Sequence, residues 1–232
     1  MTTAIVLAGG MGTRLRSAVP DLPKPMAPID GRPFLEYQLK YWLEQGIDRF
    51  VVSVGYKKEI IMNHFGTSFN GALLEYSIED HPLGTGGGLL LAAKDIKESF
   101  VVLNGDTFFP INFEELMNFH VNNGSDWTFS LFKANEADRY MGMDVTLDGQ
   151  IARLQTGTRE LGCLANGGVY IVEPSILTLN TYSPGQTFSL EDDLLPDLVA
   201  QGSKLFGLEF TDPFIDIGLP HDYFRAAEVI SR

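Results

Sequence analysis

In the first half of the chain, short apolar runs alternate with stretches of helical periodicity. Ala4–Leu7, Phe50–Val54, Leu73–Ile78 and Phe100–Leu103 have the length and residue types of strands. Between the first two, "PFLEYQLKYWLEQG" puts Leu35, Leu39, Trp42 and Leu43 on one helical face, and Gly46 supplies a C-terminal stop. Another helix start is marked in "NFEELMNFH" by Asn112 as N-cap and Glu115 at the capping-box position. Strands alternating with helices predict an α/β architecture, a mostly parallel sheet with helices on its faces.

The pattern then changes. "DWTFSLFKA", "MDVTLDGQIARL" and "NGGVYIV" read as strands, with Asp148-Gly149 as a hairpin turn. "SLEDDLLPDLVAQG" reads as a helix with Ser189 as N-cap, and Glu191, Asp192 and Asp193 complement its dipole. "LPHDYFRAAEVI" reads as a last helix, with Pro220 near its first turn. An α+β continuation follows from this, with a cleft between a half of about 1–108 and a half of about 109–232. No linker composition separates them, so 1–232 is expected to be one domain.

The 232 residues are 44% hydrophobic and 20% charged, ordinary for a globular chain able to bury a sizeable core. The net charge of -13 repels phosphodiester backbones and anionic lipid, so neither nucleic acid nor a membrane surface is an expected partner. A local cluster of cations can still reverse the field inside a cleft. The single cysteine, Cys163, allows no intrachain disulfide and reads as a small buried apolar residue. No leader peptide or membrane-spanning run is seen, and the expected setting is the cytoplasm. His64, His81, His120 and His221 lack metal-ligand spacing and read as structural or exposed. Apolar residues on the last helix suit a homo-oligomer as readily as the core.

The first strand runs into "LAGGMGTRLRSAVPDLPKP". Glycines let backbone N–H groups approach an anion closely. The Walker pattern is absent, and Leu15 stands where the dinucleotide pattern needs its third glycine. The cations sharpen the signal. Arg14 and Arg16 follow the loop, and Arg grips phosphate oxygens in pairs. Lys24 is held between Pro23 and Pro25, which restrict the backbone on both sides. A nucleoside triphosphate and a sugar phosphate together carry about six negative charges. An acidic protein needs such a cluster, and a metal, to hold them.

At this point the chain resembles the sugar-1-phosphate nucleotidyltransferases. The motifs are "LAGGMGTRLR", "LPKPMAPIDGRPFLEY", Gly55-Tyr56, "EDHPLGTGG", "NGD" and "FIDIGLPHDY", spanning nearly the whole chain in the family's order. "VPDLPKPMAP" with "YSIEDHPLGTGG" is most similar to the branch making GDP-D-glycero-α-D-manno-heptose for surface polysaccharides. The resemblance implies a Rossmann-like, mostly parallel mixed sheet flanked by helices, with an α+β sugar-binding continuation. It implies an NTP and a sugar 1-phosphate as substrates. It implies nucleotide binding by Leu7, Ala8, Gly9, Gly10, Gly12, Thr13, Asn104 and Gly105, with Arg14 and Lys24 catalytic.

Asp106 in "NGD" follows a strand, where ligands gather in parallel sheets, and Asp216 lies in the other half. Two carboxylates completed by water and phosphate oxygens suit Mg²⁺. A turn-forming Asp106 and a helix-capping Asp216 are the plainer alternatives; the resemblance implies that the two meet. Gly84 and Thr85 open a second glycine-rich turn that can present backbone groups to a base edge. Glu79 only accepts hydrogen bonds, which favours guanine's N1–H and N2–H₂ edge and hence GTP, with cytosine's amino group a lesser option and an exposed surface carboxylate the alternative. The resemblance places the sugar near Gly142, Asn166 and Gly167. Many relatives carry a Glu-Lys pair before this strand, whose Lys meets the sugar phosphate; "RLQTGTRELG" has none, leaving Arg153 or Arg159 as substitutes.

No His–carboxylate constellation is present, and an ionised sugar phosphate needs no base to attack an α-phosphorus. Catalysis by position and charge is therefore expected. The rivals are a non-catalytic sugar-nucleotide sensor and a glycosyltransferase, whose Asp-x-Asp motif is missing.

Overall fold

The computed structural model describes residues 1–136, 139–155, 160–178 and 182–230. Its main sheet has ten strands among these: β1 (Thr3–Leu7), β2 (Arg49–Val54), β3 (Ser68–Phe69), β4 (Ala72–Ile78), β5 (Phe100–Asn104), β6 (Trp127–Lys133), β7 (Gly142–Val145), β8 (Ile151–Gln155), β9 (Leu164–Val172) and β10 (Leu205–Glu209). The spatial order is β8-β7-β9-β5-β1-β2-β4-β3, with β10 beside β6 and β6 beside β9. β5, β1, β2 and β4 are mutually parallel; β9 joins β5 antiparallel and carries the sheet into the second half.

Among the described residues seven α-helices accompany the sheet: α1 (Phe34–Glu44), α2 (Lys58–Phe65), α3 (Gly84–Ala93), α4 (Phe113–Asn123), α5 (Pro174–Thr178), α6 (Leu195–Ala200) and α7 (Pro220–Ile230). The helices expected from apolar spacing (α1), from the Asn112 cap (α4) and from Pro220 near a first turn (α7) are all present. Strand residues alternate between the two faces. Ala4 and Val6 pack with Leu35 and Leu39 of α1, Ile61 of α2 and Leu116 of α4. Ile5 packs with Leu89 of α3 and Leu195 and Leu198 of α6. β1 is thus buried on both faces, as a central parallel strand should be. A third cluster, with Leu15, Phe34, Ile215, Ile217 and Ala226, seats α7 against the Gly-rich segment.

Parallel register aligns the C-terminal ends. Leu7 is paired with Ser53 on one side and Asn104 on the other, and Glu79 follows directly after β4. A short antiparallel ladder of Thr107–Phe108 with Ile215–Asp216 brings the "NGD" turn beside the "FIDIG" segment. Two segments differ from the sequence reading. The glycine-rich stretch from Gly84 is a helix, α3, rather than a turn. The expected helix at 189–200 starts as a π-helical turn, Leu190–Leu194, before α6. Pro196 has no N–H to continue a regular ladder, and the amides of Leu194 and Leu195 reach back five residues, to Ser189 and Leu190. Ser189 caps this turn as expected, its hydroxyl accepting from the Asp192 amide at 3.0 Å. Cys163 is half-buried rather than fully buried. No helix among the described residues is long and apolar enough to cross a membrane.

Candidate active site

The strand ends open into a cleft of about 640 Å³. Its lining includes Leu7, Ala8, Gly9, Gly10, Gly12, Thr13, Arg14, Lys24, Glu79, Gly84, Thr85, Asn104, Gly105, Asp106, Asn166 and Asp216. Eighteen sequence-predicted site residues are thereby reduced to sixteen that share one surface. The two others do not line it: Gly142 is buried in β7, and a Cβ on Gly167 would meet the Phe109 ring at 2.5 Å and Ser130 Oγ at 2.7 Å.

Beyond β1, the backbone N–H groups of residues 9–14 donate to no acceptor among the described residues. They form an unpaired row of donors of the kind that cradles an anion. Gly12 has φ +59°, and a side chain there would press on the Lys24 stem, its Cβ 2.8 Å from Lys24 Cγ. The loop therefore needs glycine both for its turn and to let Lys24 pass. Lys24 opens a 3₁₀ turn after Pro23, and its side chain is 14% exposed. Its Nζ donates to Asp106 Oδ2 at 2.7 Å.

Asp216 comes close to this ammonium at Gly218. A Cβ on Gly218 would stand 2.7 Å from Asp216 Oδ1, 3.2 Å from Lys24 Nζ and 3.4 Å from Arg14 Nη2. Three charged groups from distant parts of the sequence thus converge. Burial pushes the Asp216 carboxyl above the usual carboxylate range, and the negative charge of Asp106 pushes it further. Lys24 stands 2.7 Å from Asp106 and Arg139 3.6 Å from Asp216, and the two carboxylates themselves offer only oxygen donors. That is the donor chemistry of a Mg²⁺ site built from a few carboxylates plus substrate and water.

Glu79 lines the cleft, but its carboxylate is already held. Oε1 accepts from Ser53 Oγ at 3.0 Å and Oε2 from the Leu83 amide at 3.0 Å. Gly9 passes so closely over it that any Cβ there would collide with Oε1. The surface-carboxylate alternative does not apply, since the residue is 9% exposed. The α3 N-terminus is also partly used internally: the Phe188 carbonyl accepts from the Gly86 and Gly87 amides at 3.1 and 3.3 Å. Asn166 is fixed at a break in β9 register, donating to the Tyr170 hydroxyl at 2.7 Å and accepting from the Gly168 amide at 3.0 Å.

A nucleotidyl transferase family model matches residues 3–232. The chain belongs to the nucleotidyl transferase family. The D-glycero-alpha-D-manno-heptose 1-phosphate guanylyltransferase of Aneurinibacillus thermoaerophilus is 43% identical over 231 residues, 99% of this chain and 98% of that protein. The protein of the same name from Campylobacter jejuni subsp. jejuni serotype O:2 is 39% identical, covering 96% of this chain and 97% of its own length. A crystal structure of HddC from Yersinia pseudotuberculosis complexed with GMP-PN is 32% identical, with a TM-score of 0.85 over 98% of this chain and 99% of that one.

This nucleotidyl transferase also lines its cleft with residues that sequence reading passed over. Arg139 is one; its side chain is 8% exposed. It pairs with Glu136 at 2.7 Å and with buried Asp222, and it donates to the Asp216 carbonyl at 3.3 Å. Arg153 does not line the cleft; it is exposed on β8. Arg159 lies outside the described residues. Glu191 is another: it faces the cleft, with Oε2 accepting from Thr85 Oγ1 at 2.7 Å, so it does more than complement a helix dipole. His221 comes within reach of Glu136 and Asp222, a grouping that chain spacing hides, but Arg139 already occupies that cluster. His120 is buried, bonding Thr128 and Glu173.

Proposed function

We propose that this chain transfers a guanylyl group from GTP to a sugar 1-phosphate, with D-glycero-α-D-manno-heptose 1-phosphate as acceptor, releasing pyrophosphate. The observation that carries the reading is the convergence of Lys24, Arg14, Asp106 and Asp216 beside a row of unpaired amides. The two relatives named for this heptose, matched over almost their whole lengths, support the acceptor and the nucleotide. The neighbour solved with GMP-PN supports a guanine nucleotide.

In this reading the amides of the 9–14 loop and Arg14 hold the β- and γ-phosphates. Lys24 neutralises charge growing around the α-phosphorus and keeps the attacking phosphate oxygen in line. Asp106 and Asp216 hold a Mg²⁺ ion, which when bound spreads the charge of the triphosphate. No side chain need remove a proton, because the acceptor phosphate is already ionised. Glu79, gripped by Ser53 and Leu83, keeps free lone pairs for the donors of guanine's edge. Asn166 offers its amide to sugar hydroxyls, and Arg139 is the cleft cation nearest to replacing the missing lysine. The chain acts as one domain in the cytoplasm.

The test is a grid of four NTPs against heptose, mannose and glucose 1-phosphates, read by pyrophosphate release. GTP with the heptose phosphate should give the highest kcat/KM. Another winning pair would correct the substrates alone. Release with none of them, together with tight binding of GDP-heptose, would replace the transferase by a sensor.

A further inference from the structure

Helix α1 buries Phe34, Leu35, Leu39 and Trp42, and Gln38 sits on the same buried side, 1% exposed. Leucine or methionine would fill that volume without polar groups. An amide in an apolar layer is unfavourable unless its groups are paired, and Gln38 Oε1 has no partner among the described residues. The other end of the amide has two. Nε2 donates to the Asn104 carbonyl at 2.8 Å and to the Thr107 carbonyl at 2.6 Å, spending both hydrogens.

Those two carbonyls bracket Gly105-Asp106. The turn between them is held at few other points. The Gly105 amide donates to the Leu7 carbonyl at 3.1 Å, and the Asp106 carbonyl accepts from the Ile217 amide at 2.9 Å. Thr107 stands directly opposite Asp216 in the short ladder. One amide group therefore clips both ends of the turn that carries Asp106, and one of those ends sets the register of Asp216. A polar group retained at this site, with half its hydrogen-bonding capacity unused, is better explained by what it holds than by packing.

We propose that Gln38 is a positioning residue that fixes the spacing and aim of the Asp106–Asp216 pair toward a divalent cation. This rests on the reading of those carboxylates as the cation's ligands. Residues that orient metal ligands without touching the metal commonly change its affinity roughly 10–100-fold when replaced.

The experiment compares wild type with Gln38→Leu, which is one atom shorter and removes both donors, and Gln38→Glu, which keeps the shape and sets acceptors against the two carbonyls. Mn²⁺ binding is followed by electron paramagnetic resonance with GTP present and no sugar phosphate. Thermal melting and steady-state kinetics accompany it. Gln38→Leu should weaken Mn²⁺ binding about tenfold or more and lower kcat similarly, with KM for the sugar phosphate within about twofold and the melting temperature unchanged or higher. Gln38→Glu should weaken Mn²⁺ more. Wild-type Mn²⁺ affinity in the variants, or a lowered melting temperature as the only effect, would overturn the proposal and leave the metal reading intact. Absence of Mn²⁺ binding by the wild type would overturn both.

Discussion

Lys24 neutralises Asp106 directly, while Asp216, largely but not fully buried and facing another carboxylate, keeps a raised pKa. The arrangement is crowded around Gly218, where the three charged head groups leave no room for one more carbon. Gly218 needs no unusual backbone angle, so the space it leaves is what matters there. Gly218→Ala should fold as the wild type by circular dichroism and lose up to about 10²-fold in kcat/KM, the cost of displacing reacting groups by roughly an ångström. Activity within about threefold of wild type would show that these head groups need not meet. Lys24, Asp106 and the Gly-rich loop were legible in the sequence because each is a local pattern: a strand end, a proline-bracketed cation, glycines in series. Arg139, Glu191 and Gln38 were not. Each enters the site through contacts with residues far away in the chain, and each looks locally like an ordinary helix or surface residue.

At the scale of elements, α3 is the instructive case. Five residues of its first half include four glycines, which propensity scores as turn rather than helix. Packing overrides propensity: Gly86 lies against the Phe188 ring, Gly87 against the Gln186 carbonyl and Gly88 against Glu79 and Ser53. The glycines let the helix lie flat on the segment that caps it. Gly87→Ala improves helix propensity by about 1 kcal/mol, yet its Cβ would collide with the Gln186 carbonyl, an overpacking that costs roughly 1–3 kcal/mol. The net expectation is destabilisation, read as a lower urea midpoint. A higher midpoint would mean that the 186–190 segment is not seated on α3. Helix α1 was legible from its regular apolar spacing, α4 from the cap at Asn112 and α7 from Pro220 near its first turn. The π-helical turn was not, since its widening depends on where Pro196 falls relative to the cap at Ser189.

Across the whole molecule, a chain of net charge -13 gathers Arg14, Lys24 and Arg139 in the cleft, so an acidic substrate meets a local positive field there. β9 runs through both halves, pairing with β5 of the first and β6 of the second, so the sheet has no seam at which the halves could separate. One unfolding transition is expected, and a ligand at 100 times its Kd should add about 2.7 kcal/mol to all of it. Two transitions in calorimetry, with GTP shifting only the first, would contradict a single domain. The α/β character followed from the strand and helix pattern; the sheet order and the turn of β9 around Asn166 did not, because strand pairing and a register shift leave little mark on apolar periodicity.

The central claim is that this cleft moves a guanylyl group onto a sugar phosphate. Its most direct test is to follow label from GTP marked at the α-phosphorus, with Mg²⁺ and D-glycero-α-D-manno-heptose 1-phosphate, in wild type and in Lys24→Ala. The account predicts label in GDP-heptose, unlabelled pyrophosphate in equal amount, and a loss of roughly 10²–10³ in kcat/KM without Lys24. Label appearing in GMP or GDP instead, or a Lys24→Ala rate within about threefold of wild type, would contradict it.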